Sequence, residues 1–169
     1  MALCDDLLAE FDQEMAATRK HLERVPYDRF DWKPHEKSMA LGLLANHLAE
    51  NPFWAVMAIK QDSFDVEPGG AAYTPPPPPA SREELLKKFD ENVKAAREAI
   101  TGASDELLRH NWTLLKNGQP IMTLPKLSVL RFWVMNHTIH HRAQLGLYFR
   151  LLNIPVPATY GPSADEQPA

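Results

Sequence analysis

Asn136-His137-Thr138-Ile139-His140-His141-Arg142-Ala143-Gln144 lies inside a run, Pro125 to about Leu152, that otherwise reads as one long apolar helix. Proline suits a first helical turn, because its missing N–H would have no partner there. We set His137 to zero on a wheel of about 100° per residue. Leu130 and Tyr148 then fall at about +20°, Val134 and Leu152 at about +60°, and Leu127 and Leu145 at about +80°. Trp133 and Leu151 fall at about −40°. His137 thus sits near the middle of the inward stripe. His141, at about +40°, and Gln144, at about −20°, lie within it, and His140, at about −60°, lies towards its border. A helix this long with one apolar stripe must bury that stripe against other helices.

Three further helical runs supply partners. Leu3 to about Val25 carries Leu7, Leu8, Phe11, Met15 and Leu22 at helical spacing, and Pro26 ends it. After a connector, Met39 to about Lys60 reads as a second helix, with Asn51-Pro52 predicting a kink or a break into two pieces. Ser81-Arg82-Glu83-Glu84 has capping-box spacing and starts a third helix, Arg82 to Thr101, which Gly102 stops. A short helical turn is expected after Ser104. Between Trp112 and Thr123, Asn117-Gly118 separates apolar segments and signals a hairpin. Gln61 to Ala80 reads as a long connection ending in Pro75 to Pro79, a stiff polyproline strap rather than a ligand for a proline-binding domain. The tail from Asn153 is expected to lie against the body without regular structure. The expected fold is all-α: a single domain over residues 1–169, a four-helix bundle with a hairpin-like insertion before the last helix.

Bulk composition narrows the function classes. The 169 residues are 44% hydrophobic and 24% charged, with a formal net charge of −4. That balance argues against a chain built mainly to hold nucleic acid or an anionic membrane. No apolar run approaches the roughly 20 residues of a membrane span. The acidic start, Met-Ala-Leu-Cys-Asp-Asp, lacks the features of a signal peptide, so a cytoplasmic location is expected. Cys4 is the lone cysteine, which excludes an intrachain disulfide and a multi-thiolate metal site.

On the second helical run, Ala40, Leu43, Trp54 and Ala58 fall within about 40° of His47. Each apolar stripe is therefore interrupted by a polar cluster, and a buried unpaired polar group costs about 1–3 kcal/mol. Two readings offset that cost. One is a hydrogen-bonded buried network. The other is a metal ion held by His137 and His141, one turn apart, with His47 from the second run. Three imidazoles without cysteine suit Zn, Ni, Cu or Fe(II), and leave a coordination position for water or a substrate thiolate. Glu50 is the nearest candidate base. Its alternative roles are orienting an imidazole N–H or pairing with Arg142. Glu50, Asn51 and Gln144 are the candidates to position a reacting group. His21, His35 and His110 sit in polar surroundings and are read as surface groups.

Several segments resemble the DinB-like (DinB/YfiT-like) superfamily: Asp31-Trp32-Lys33-Pro34 with Ser38, Leu44-Ala45-Asn46-His47-Leu48-Ala49-Glu50, Asn136 to Leu145, and Tyr148 to Pro157 with Tyr160 to Glu166. The resemblance implies a bundle of unusual helix order and a divalent metal, usually zinc or nickel, on His47, His137 and His141. His140 matches the family's non-ligand histidine. The resemblance also implies frequent homodimers and, in some relatives, transferase or isomerase chemistry using a low-molecular-weight thiol. Two functional readings follow. One is a metal-dependent small-molecule transferase or hydrolase. The other is a non-enzymatic stress-response protein whose metal is structural or sensing. Phe132, Met135 and Phe149 fall on the outer face of the wheel, and are expected to be covered by the hairpin, the tail or a second subunit.

Overall fold

In the computed structural model, which describes residues 2–71 and 77–167, the first helix, α1 (Leu3–Leu22), buries Leu7, Phe11, Met15 and Leu22. The second helical run is in two pieces, α2 (Leu41–Glu50) and α3 (Phe53–Lys60). Pro52 brings no N–H to the helical ladder, so the break falls where the sequence places it. A short strand follows, β1 (Ser63–Asp65). Helix α4 (Arg82–Thr101) starts at Ser81, whose hydroxyl accepts the Glu84 N–H at 3.1 Å, while the Glu84 carboxylate accepts the Ala80 N–H at 2.9 Å. Ser104 caps the short α5 (Asp105–Arg109) in the same way.

Strands β2 (Asn111–Lys116) and β3 (Gln119–Pro125) form the expected hairpin. Asn117 and Gly118 take the positive φ values, 49° and 75°, that a tight two-residue turn demands. The Asp65 carboxylate accepts both turn N–H groups, at 3.0 and 2.7 Å, and so pins the hairpin to β1. The chain then enters α6 (Lys126–Val129), a π-helical stretch over Leu130–Asn136, and α7 (His137–Leu151). The tail over residues 153–167 has no regular structure. It is held to the body by Arg24–Glu166 and Arg150–Asp165 ion pairs.

The all-α expectation is overturned by a mixed three-stranded sheet in the order β1-β2-β3. β1 pairs parallel with β2, setting Ser63 against Thr113 and Asp65 against Leu115, and β3 closes the hairpin antiparallel. Three residues carry too little periodicity to announce a strand. β1 exists because β2 and the Asp65 contacts recruit it. The sheet meets the helices through an aromatic block, in which Trp133 lies 6.0 Å from Trp54 and 6.3 Å from Trp112, and Trp54 lies 5.0 Å from Phe64. The expected proline strap falls partly on residues 72–76, outside the described residues. Pro77 to Pro79 lack regular structure.

Helices α1, α2–α3, α4 and α6–α7 share one apolar core. Two corrections concern the last helix. Met135 and Phe149, expected outside, are both buried, and Phe149 stacks on His21 of α1. Leu151, expected inside, is exposed. The buried face of α7 is Thr138, Arg142, Leu145 and Phe149, rotated away from the histidines, which therefore stand at its edge. Phe132 remains 60% exposed, so neither the hairpin nor the tail covers it. Lys126 is fully buried at 0% exposure. Its ammonium caps the end of α3 through the Ala58 and Gln61 carbonyls, with Asp62 at 3.0 Å. Among the described residues no helix is long and apolar enough to cross a membrane.

The connector before α2 is seated by close approach. Gly42 donates its N–H to the Phe30 carbonyl at 2.8 Å, and a Cβ at Gly42 would stand 2.1 Å from the Phe30 ring. Gly42→Ala is therefore expected to cost about 1–3 kcal/mol in urea unfolding, as overpacking does. An unchanged unfolding midpoint would refute this account of the connector.

Candidate metal centre

α2 and α7 run side by side, and the seam between them brings three imidazoles together. The His137 Nε2 atom stands 3.1 Å from Nε2 of His47 and 2.6 Å from Nε2 of His141. Ligand atoms from these three residues all lie within 4.8 Å of one another, and each residue is partly buried. The four-residue spacing of His137 and His141 on one helix supplies two of the nitrogens, and His47 supplies the third across the seam.

The donor set fits a metal ion. Burial first, and then the neighbouring His141, push the His47 imidazole down to about 4. Burial likewise takes His137 down to about 4, helped by the neighbouring histidines and opposed by a hydrogen bond to the Trp133 carbonyl. His141 is also lowered, by burial first, against a hydrogen bond with Gln144 that raises it. All three are thus neutral near pH 7, the form that ligates. The Nδ1–H of His141 donates to Gln144 Oε1 at 2.7 Å, which leaves the Nε2 lone pair facing inward. Ligand nitrogens at about 2.0–2.1 Å from one ion stand about 3.3 Å apart in a tetrahedron. The two spacings to His137, 3.1 and 2.6 Å, need only a small spreading of the rings to meet that.

The three candidate positioning residues stand differently. Gln144 touches the site through His141, and its amide nitrogen lies 3.1 Å from Nε2 of the exposed His140. Glu50 is committed to Lys88 of α4 at 2.6 Å and is not part of the convergent group. Its alternative partner, Arg142, is engaged elsewhere. Arg142 is buried against Glu14 of α1 at 2.7 Å, with Thr18 Oγ1 and the Tyr160 hydroxyl as further acceptors. Removing one member of such a pair leaves a buried charge and typically costs about 3–5 kcal/mol. This clamp grips α7 from behind His141. Asn51 is 2% exposed, and its amide donates to the Val134 carbonyl at 2.8 Å and to Thr138 Oγ1 at 2.6 Å. Thr138, Lys88 and the Glu14–Arg142–Tyr160 clamp carried no signal in the sequence that marked them as neighbours of the site.

His35 and His110 are exposed, as expected. His21 is not: it is 3% exposed, packed on Phe149, with its Nδ1–H donated to the Ala17 carbonyl at 2.9 Å. It is 125 residues from Gly146 in sequence, yet its ring lies 3.7 Å from where a Gly146 Cβ would stand, and it is not part of the triad's ligand group.

The sequence matches the profile of the DinB family over residues 2–168, and the chain belongs to that family. Two solved structures share the fold. A DinB-like protein, YjoA, from Bacillus subtilis is 18% identical with a TM-score of 0.68, the match covering 91% of this chain and 96% of that one. A DinB-like protein from Bacillus cereus ATCC 10987 is 20% identical with a TM-score of 0.69, over 92% of this chain and 97% of that one. No match is found among curated protein sequences.

Burial lowers His21 from 6.5 to about 4. As pH falls through 6.5 the unfolded chain takes up this proton while the folded chain does not. The stability His21 contributes is therefore complete above pH 6.5 and is lost progressively as pH falls towards 4. In the metal-free protein, the fall of Tm with acidification over this window should be shallower in His21→Leu than in wild type. It should not vanish, because His47 and His137 titrate in the same direction. Equal slopes would show that His21 is not held neutral by burial.

Proposed function

We propose that this DinB-family protein binds one divalent metal ion, zinc or nickel, through the Nε2 atoms of His47, His137 and His141, and acts on a small molecule at the ion's open side. The observation that carries this reading is the convergence of three neutral imidazole nitrogens from two helices at a partly exposed seam. When bound, such an ion supplies Lewis acidity at a free coordination position, where a water or a low-molecular-weight thiol is more easily deprotonated. Transferase or hydrolase chemistry, the former with a thiol cosubstrate, is the corresponding reaction class.

The chain's own residues bear on which of these is favoured. Gln144 orients His141 and faces the site through that contact. Glu50 is neutralised by Lys88, which argues against its serving as a free general base. A thiol activated by the ion needs no such base, so thiol transfer is the better-supported branch. The engagement of all three candidate residues also sustains a second reading, in which the metal ties α2 to α7 and turns nothing over.

Two measurements separate these. Protein purified without a nickel column should carry about one equivalent of metal, and His137→Ala should carry almost none. Wild type and variant carrying equally little metal would end both readings. Loaded protein should then transfer a low-molecular-weight thiol to small electrophiles, with His47→Ala reduced to background. Full metal occupancy without turnover across such a screen would favour the structural role.

A further inference from the structure

The π-helical stretch Leu130–Asn136 ends immediately before His137. A stretch of this kind loosens the regular i→i−4 ladder and is often found beside functional sites. At its C-terminal end a backbone N–H of the following turn reaches the Val134 carbonyl. The Val134 carbonyl keeps a second lone pair, and the Asn51 amide fills it at 2.8 Å. The same amide nitrogen reaches Thr138 Oγ1, on the residue after His137, at 2.6 Å. Asn51 stands four residues, one helical turn, after His47, at the break between α2 and α3. It is therefore fastened on one side to the backbone that carries His47 and on the other to the backbone that carries His137.

From this geometry we propose that Asn51 is a positioning residue. It bridges α2 to the π-helical stretch and so fixes the separation and mutual angle of His47 and His137 for metal binding. This rests on the metal reading above and goes beyond it, by assigning the ligand geometry to a residue that touches no ligand nitrogen. Stability alone gives a poor account of an asparagine here. Among the described residues its Oδ1 is buried without a partner, a cost that a branched apolar side chain would not incur. Leucine would fill the space, yet would hold no carbonyl and set no register. The contact to Val134 also ties the helix break at Pro52 to the π stretch, so two irregularities that each weaken a helix are braced by one amide.

The role is separable from stability. Asn51→Leu keeps the number and branching of side-chain heavy atoms and removes both hydrogen bonds. Thr138→Val removes one of them and serves where the first variant folds poorly. Lys126→Met is the control: it removes the buried cap on the end of α3, and so lowers stability without touching the bridge. Each full-length protein is stripped of metal and titrated with Co(II), following affinity and the visible ligand-field spectrum, alongside urea unfolding of the metal-free form. We expect Asn51→Leu to weaken Co(II) binding on the order of 10-fold or more and to change the spectrum. Thr138→Val should fall between it and wild type. Lys126→Met should keep the wild-type spectrum and affinity despite its lower stability. A folded Asn51→Leu with wild-type affinity and spectrum overturns the positioning role alone. So does a Lys126→Met that weakens binding as much as Asn51→Leu does. A wild type that takes up no Co(II) overturns the metal reading and this inference with it.

Discussion

Three neutral imidazoles cannot satisfy one another. With His141 held as its Nδ1–H tautomer by Gln144, its Nε2 offers only a lone pair to the centre. His137 leans the same way through the Trp133 carbonyl. His47 can donate to one of the two, not both. A partly buried cluster of this kind is short of protons by construction, and either a shared proton or a cation has to make up the shortfall. Protonation is disfavoured, since burial and the mutual proximity of the rings hold the pKa values low. That shortfall is the constraint to which the surrounding structure answers, and it sets what each neighbouring contact has to achieve.

The answer is a set of braces behind the site. On one side, Arg142 is buried against Glu14 and Thr18, and the Tyr160 hydroxyl joins the pair from the tail. On the other, Asn51 grips the backbone ahead of His137. Between these, α7 cannot easily roll. Rolling is the motion that would separate His137 and His141 from His47. The tail belongs to this system: its ion pairs to Arg24 and Arg150 keep Tyr160 where Arg142 needs it. A sheet hung on the far end through Trp54, Trp112 and Trp133 stiffens the start of the same helix.

Much of this was legible. Ser81 with Glu84, Pro52 and Asn117-Gly118 act through local chemistry that a sequence displays, and each placed its boundary or turn correctly. The histidine triad was legible because i, i+4 spacing survives any rotation of the helix. What failed depended on tertiary context. β1 is made by its partner. The wheel for the last helix assumed one pitch throughout and let apolar residues in and before the π stretch help set the centre of the inward stripe, so Phe149, beside Thr138 and Arg142 on the wheel, was put on the wrong face. Its true buried face includes Thr138 and Arg142, polar residues that no apolar stripe can reveal. His21 misled for a related reason. Its neighbours Arg19, Lys20 and Glu23 are polar, but α7 lies over its own side of the turn.

The rotation that spoiled the wheel also bears on chemistry. Had the histidines stood at the middle of the buried face, as the stripe suggested, an ion between them would be sealed and its fourth position closed by protein. They stand instead at the border, each partly exposed. Leu43, one turn before His47, is 51% exposed. A purely structural zinc usually recruits a fourth protein ligand, because a closed shell is what makes it hold. Here Glu50, one turn from His47, is drawn off to Lys88, and the lone cysteine, Cys4, is outside the ligand group. Three partly exposed imidazoles braced from behind, with no fourth protein donor in their group among the described residues, are what support the proposed ion that exchanges a ligand with solvent over one that only staples two helices.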